Sequence, residues 1–194
     1  MASLTLSFGL VCLTLGLGAA SPMLRAEDWI TAPQLCQGKA YSSGARAAQW
    51  QFDRDQCVSF ATPDSRTMYS SVFPGKDSNF VLQVRVRLSD GAECRVRLGE
   101  SRFQLTNSPT QTELRIDGQT HTFENTDADS RDWTQFTITR RDGKLTANVN
   151  GWPPVDIGDS ADAIEKIGIE ATRGTIAVKN FVLTGELERR EAEE

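Results

Sequence analysis

An Asp-Gly pair set between two runs of strict apolar–polar alternation restricts this chain more than any other feature. The run Trp133-Thr-Gln-Phe136-Thr-Ile138-Thr-Arg140-Arg-Asp142-Gly143-Lys-Leu145-Thr-Ala147-Asn-Val149-Asn150-Gly151 reads as a β-hairpin closing on a second turn. A two-residue Asp-Gly loop selects a type I′ turn, because both central residues take positive φ. Pairing Arg141 with Lys144 then sets Ile138 opposite Ala147 and Phe136 opposite Val149, so the apolar residues of both strands share one face. Turn chemistry and hydrophobic pattern agree on the same register.

The chain around this hairpin carries the same signature. Phe80, Leu82, Val84, Val86 and Leu88 alternate with polar or smaller residues, as in a half-buried antiparallel strand, and Ala92–Leu98 follows. A three-residue loop, Ser89-Asp90-Gly91, is expected to join these two as a hairpin with a G1 bulge. That register sets Val86 by Cys94, Val84 by Val96, Arg87 by Glu93 and Arg85 beside Arg95. Gln111–Ile116 and Gln119–Phe123 meet at Asp117-Gly118, a second I′ turn, with Leu114 opposite His121 and Thr112 opposite Phe123. The last strands are Ile164–Glu170 and Thr175–Leu187. Within the latter the in-phase set shifts from Ile176 and Val178 to Phe181 and Leu183, which predicts a bulge near Lys179. No stretch of ten residues after the N-terminal segment has strong helical periodicity, so the fold class is all-β, an antiparallel sandwich or jelly roll.

At 194 residues and 39% hydrophobic content the chain can bury one core but hardly two. A formal net charge of −5 argues against a nucleic-acid partner. Residues 4–20 form an uncharged apolar stretch ending in Gly18-Ala19-Ala20, suited to signal-peptidase cleavage before Ser21. Secretion or periplasmic export is the expectation. Because no Lys or Arg precedes the stretch and Arg25 follows it, an uncleaved anchor is the alternative. The resulting division is a signal peptide over 1–20, a polar segment over 21–48, the β-sandwich over 49–187 and a charged tail over 188–194. In an oxidising compartment Cys94, in phase with Val96 and Leu98, reads as a small buried hydrophobe, leaving Cys36 and Cys57 to pair. Such a bridge closes a loop of about twenty residues and stabilises by roughly 3 kcal/mol in the chain-entropy picture.

Taken together, Asn79–Gly91, Trp133-xx-Phe136-x-Ile138-x-Arg140, Gly143–Gly151, Ile167-Gly168-Ile169 and Ile176–Leu183 resemble a concanavalin A-like lectin/glucanase jelly roll. Within that superfamily the wording of the strands is most similar to the bacterial 3-keto-disaccharide hydrolase domain, over roughly residues 67–187. The resemblance implies a jelly roll, a saccharide or cell-surface glycan as partner, and, as a further possibility, glycoside hydrolysis. The superfamily's glucanases use a Glu-x-Asp-x-x-Glu strand pattern, which places carboxylates on one face of a cleft. That pattern is absent here. Glu113 and Asp117 come nearest to it, but Asp117 is better explained as a turn residue.

Other residues divide between chemical and structural readings. Arg85, Arg95 and Arg97 fall on the face opposite the core, where guanidinium forks suit carboxylate, sulfate and sugar hydroxyls; the competing reading is a solvated outer face. Trp152, after Asn150-Gly151 and before two prolines, is either an exposed stacking platform for a sugar ring or a cover for one end of the sandwich. These four are the candidate carbohydrate-binding residues. His121, the single histidine, shares the phase of Leu114 and Phe123, so a core imidazole is preferred over a general base. Residues 124–132 carry oxygen ligands at alternate positions, a spacing compatible with Ca²⁺, but they lack the EF-hand Gly and Glu and read more simply as a solvated turn. No metal or other cofactor is expected from the remaining residues. The expectation is therefore a glycan-binding domain, with a hydrolase of the 3-keto-disaccharide type and a non-catalytic structural or protein-interaction module as alternatives.

Overall fold

A computed structural model describes residues 50–53, 56–60, 68–70, 72–126, 132–159, 164 and 166–189. The expected signal segment, the uncleaved-anchor alternative, Cys36 and the polar segment over 21–48 lie outside these residues. The strands are β1 (Trp50–Asp53), β2 (Gln56–Phe60), β3 (Met68–Tyr69), β4 (Val72–Pro74), β5 (Phe80–Leu88), β6 (Glu93–Leu98), β7 (Ser101–Asn107) and β8 (Gln111–Ile116). They continue with β9 (Gln119–Glu124), β10 (Thr134–Arg141), β11 (Lys144–Val149), β12 (Val155–Asp159), β13 (Ile167–Arg173), β14 (Thr175–Gly185) and β15 (Leu187–Arg189). A seven-stranded sheet, β1-β2-β14-β5-β10-β11-β12, packs on a six-stranded sheet, β3-β13-β6-β7-β8-β9, and β15 pairs with β4 beside them. Every pairing is antiparallel. The molecule is a β-sandwich jelly roll.

The two Asp-Gly hairpins have the expected registers. Arg141 pairs with Lys144, Ile138 with Ala147 and Phe136 with Val149; Leu114 pairs with His121 and Thr112 with Phe123. Asp142 and Gly143 take φ of 52° and 79°, and Asp117 and Gly118 take 48° and 86°, as a type I′ turn requires. The β14 register shifts between Lys179 and Val182, at the expected bulge. Asn180, at φ 50°, supplies the left-handed residue there, and the extra residue returns Phe181 and Leu183 to the core.

The expected β5–β6 hairpin does not form. β5 lies between β14 and β10 in one sheet, whereas β6 lies between β13 and β7 in the other. Val84 and Val86 therefore share the interior with Cys94 and Val96 from opposite sheets instead of pairing beside them. Alternation is satisfied either way, because a strand with one buried face shows the same pattern whether its sequence neighbour lies beside it or across the core. What fixes the crossover is a second one next to it, where β13 passes to β14 through Gly174. A Cβ on Gly174, at φ +70°, would stand 2.8 Å from the Ala92 Cβ. The Ser89 amide donates to the Thr175 carbonyl at 3.0 Å, and the Thr175 amide donates to Ser89 Oγ at 3.1 Å. The two corners are thus locked together by a missing side chain and a pair of hydrogen bonds.

Between the sheets lie Leu82, Val84, Phe136, Ile138, Val149, Ile176 and Leu183 from one side and Val96, Phe103, Leu105, Leu114, Ile167 and Ile169 from the other, all fully buried. Phe103 and Phe136 meet across the interface with ring centroids 5.7 Å apart and a 49° tilt. Each such side chain contributes about 1.5–3 kcal/mol by leaving water.

Candidate functional site

On the six-stranded sheet, the residues that alternate with this core form a continuous polar outer face. Across it Glu170, Arg95, Gln104, Arg115 and Thr120 stand in register on β13, β6, β7, β8 and β9. The adjacent row holds Glu93, Thr106, Glu113 and Thr122. Between these rows is a depression of about 210 Å³ lined by Glu93, Gln104, Thr106, Glu113, Arg115 and Thr120. The backbones of β6 and β8, which carry the two carboxylates, are two strand spacings apart, about 10 Å. The small Thr106 between them leaves the floor low.

The carboxylates have different partners. Glu93 Oε1 accepts from Thr172 Oγ1 at 2.7 Å, and Glu113 Oε1 accepts from Gln111 Nε2 at 3.3 Å. At the β13 side, Arg95 Nη1 and Arg97 Nη2 donate to the two oxygens of Glu170 at 2.7 and 3.3 Å. The glutamate side chain is 11% exposed and each arginine 26%, so this three-residue cluster is partly desolvated and ties both guanidinium groups to one carboxylate. A face built in this way offers fixed donors, acceptors and hydroxyls at strand spacing, which suits recognition of a polyhydroxylated ligand.

The four candidate binding residues are not brought together. Arg95 and Arg97 belong to the face just described. Arg85 is on the outer face of the seven-stranded sheet, in register with Lys179 and Gln135, on the far side of the sandwich. Arg87 is there as well: it does not meet Glu93 but lies over the Trp133 ring at 5.1 Å, with Lys179 Nζ at 3.9 Å from the same ring, and donates to Gln56 Oε1 at 3.5 Å. Both corrections follow from the β5–β6 crossover. Trp152 is half-buried against the end of the core, and its Nε1 donates to the Glu124 carbonyl at 3.1 Å. Its indole therefore covers one end of the sandwich, away from the depression.

The remaining candidates are placed as follows. His121 is half-buried rather than enclosed, because β9 is the edge of its sheet. Glu113 lines the depression, whereas Asp117 is a turn residue. Of residues 124–132, weighed as a Ca²⁺ loop and read as a solvated turn, residues 127–131 lie outside the described residues. Asn125 is buried, its Nδ2 donating to Asn107 Oδ1 and to the Ser108 carbonyl, both at 2.8 Å. Among the described residues, no three acidic, His or Cys side chains group in a way that could hold a metal ion. Cys57 is buried in β2, and Cys94 is the one free cysteine among the described residues. Burial pushes the Cys94 thiol up to about 12, with Glu93 and Glu170 adding to the rise and a backbone hydrogen bond at Leu105 opposing it.

Glu170, Glu93, Gln104, Arg115 and Thr120 were not distinguished by sequence reasoning. Each is an ordinary polar residue on an alternating strand, and only the sheet order sets them side by side.

Solved structures with this architecture include a β-glucanase from Bacillus licheniformis, at TM-score 0.51 and 9% identity, covering 80% of this chain and 91% of that one. A glycosidic hydrolase matches at TM-score 0.51 and 10% identity, covering 80% and 89%. These likenesses bear on the fold alone, a β-sandwich jelly roll. A scan of protein-family models finds no match, and a search of curated proteins finds none.

Proposed function

We propose that this protein is an exported glycan-binding jelly-roll domain that takes its ligand on the outer face of the six-stranded sheet. The observation that carries the reading is the depression over Thr106, where two carboxylates, an amide, a guanidinium and two hydroxyls converge at strand spacing. Two structures that share the fold are, by name, a β-glucanase and a glycosidic hydrolase, which supports a saccharide as the ligand class. In this reading residues 1–20 direct export and a Cys36–Cys57 bridge ties the N-terminal segment to β2. Arg95, Arg97 and the row beside them make the binding surface, and Arg85 and Trp152 stand outside it.

A second reading is glycoside hydrolysis of the 3-keto-disaccharide type. It is favoured by one specific observation, the pair Glu93 and Glu113 on either side of Thr106, since such chemistry needs one carboxyl group to protonate the leaving oxygen and another to activate water or attack. A glycan-array screen of the secreted protein, with and without Ca²⁺ and followed by analysis of each hit for cleavage products, tests both. Saturable binding without product, lost in Gln104→Ala/Thr120→Ala and kept in Arg85→Ala, is the expected result. Products abolished by Glu93→Gln or Glu113→Gln would move the protein to the hydrolases, and absence of binding to every glycan would leave a structural or protein-interaction module.

A further inference from the structure

The charges on the six-stranded face are segregated: the pair Arg97 and Arg102 and the row of Arg95 and Arg115 lie side by side, and Glu93, Glu113 and Glu124 stand in the rows beyond. Arg97 on β6 stands directly opposite Arg102 on β7, and Gln104 on β7 is directly opposite Arg115 on β8. Arg115 is therefore on the diagonal from Arg102, within reach of a long side chain. Glu170 is already shared by Arg95 and Arg97, and Arg97 Nε is buried without an acceptor. Arg102 and Arg115 are exposed and have no ion pair or hydrogen bond with any described residue. The nearest acid along that row is Asp117 in the exposed β8–β9 turn, which makes no ion pair with them. Like charges placed opposite one another in a sheet are unfavourable without a counter-charge, and no described acid forms an ion pair with Arg102 or Arg115, although Glu113 lines the depression with Arg115.

We infer that the ligand of this face is an anionic glycan, whose carboxylate or sulfate group is held between Arg102 and Arg115 beside the Gln104 amide. The inference rests on the glycan-binding reading and names its ligand class. Guanidinium forks bind carboxylate and sulfate oxygens in pairs, which gives direction as well as charge. The depression next to them then takes the hydroxyls of the same or the adjoining sugar. The arginines assigned to charge recognition differ from those the sequence suggested: Arg95 and Arg97 are held by Glu170, and the anion is read by Arg102 and Arg115.

The test uses matched probes and the whole secreted protein. Isothermal titration would compare a heparin-derived hexasaccharide with its desulfated counterpart, and an oligogalacturonate with its carboxyl-reduced counterpart. The charged member of at least one pair is expected to bind tighter by about tenfold or more, the scale of one charge-assisted hydrogen bond. That preference should shrink with added salt and disappear in Arg102→Gln/Arg115→Gln, two exposed positions whose replacement leaves the core intact, as an unchanged thermal melt would confirm. Equal affinity for charged and neutral members overturns the inference and leaves the glycan reading standing, as does a preference that survives in the double variant. No binding to any saccharide overturns both.

Discussion

Arg140 Nε donates to the Ser78 carbonyl at 2.6 Å, tying β10 to the loop before β5 across 62 positions of sequence. Its Nη2 donates to the Gly75 carbonyl at 2.7 Å, and its guanidinium lies 5.1 Å from the Phe80 ring centre. The residue is 2% exposed. Burial lowers its pKa, opposed by the charge of Asp77. Its Nη1 has no acceptor among the described residues. This one side chain holds two carbonyls of the loop before β5, of which that of Gly75 also accepts from the Ser78 amide and hydroxyl.

Arg140→Ala should therefore lower unfolding free energy by about 3 kcal/mol, in the range for breaking a buried charged hydrogen-bond network. Arg140→Lys should recover only part of it, because one ammonium lacks the fork that reaches both carbonyls. Urea denaturation checks both, and an alanine variant as stable as the parent would refute the clamp.

A neighbouring backbone contact makes the sharper case. Gly185, at the end of β14, has φ +138°, and a Cβ there would stand 2.4 Å from the Asn79 carbonyl oxygen. Gly143, at φ +79° in the hairpin turn, faces open space. Gly143→Ala should cost about 1 kcal/mol from the left-handed conformation alone. Gly185→Ala adds a clash with rigid backbone and should cost more than about 3 kcal/mol or prevent folding. Thermal melts of the two variants side by side would show the ordering, and equal losses would contradict it.

Why some of this was legible and some was not follows from range. The Asp142-Gly143 and Asp117-Gly118 hairpins are set by two turn residues and their immediate neighbours, so their registers could be worked out from spacing. The bulge at Asn180 was legible for the same reason, as a phase slip within one strand. The partners of β5 and β6 were not, because Val84 and Val96 alternate identically whether they pair side by side or face each other across a core. The error carried into the site: it placed Arg85 beside Arg95 and left Glu170 unnoticed, 75 positions from Arg95 in sequence. β7 was passed over because Phe103 and Leu105 make too short a pattern, yet Gln104 and Thr106 on its other side sit at the centre of the candidate site.

The Glu170 cluster lends itself to a direct measurement. Glu170→Gln keeps the shape but leaves Arg95 and Arg97 close together without their shared acid. Partial exposure of the arginines screens the repulsion, so the expected loss is about 1–2 kcal/mol, smaller than for a fully buried pair. The loss should narrow at high ionic strength, where the arginines repel each other less. A loss that does not respond to salt would indicate that packing, not charge, accounts for the position.

Cys94 provides a prediction in pH. Its thiol is enclosed between the sheets and pushed up to about 12 from an ordinary value of 9.0, chiefly by burial. In the folded protein it should be inert to thiol reagents at pH 8 and react only on unfolding. The sign of the linkage is fixed by which state holds the proton. Between pH 9 and about 12 the unfolded chain releases it while the folded chain keeps it, so stability is fully present below 9 and falls as pH rises, by up to about 1.4 kcal/mol per pH unit from this group. Cys94→Ala removes the contribution at a modest packing cost, so the gap between parent and variant should close and then reverse across that window. Denaturation curves for the two proteins at matched pH values measure it. A gap that stays constant from pH 8 to 11 would mean that Cys94 ionises as readily in the folded protein as in the unfolded chain, and that the interior around Val96 and Leu105 admits water.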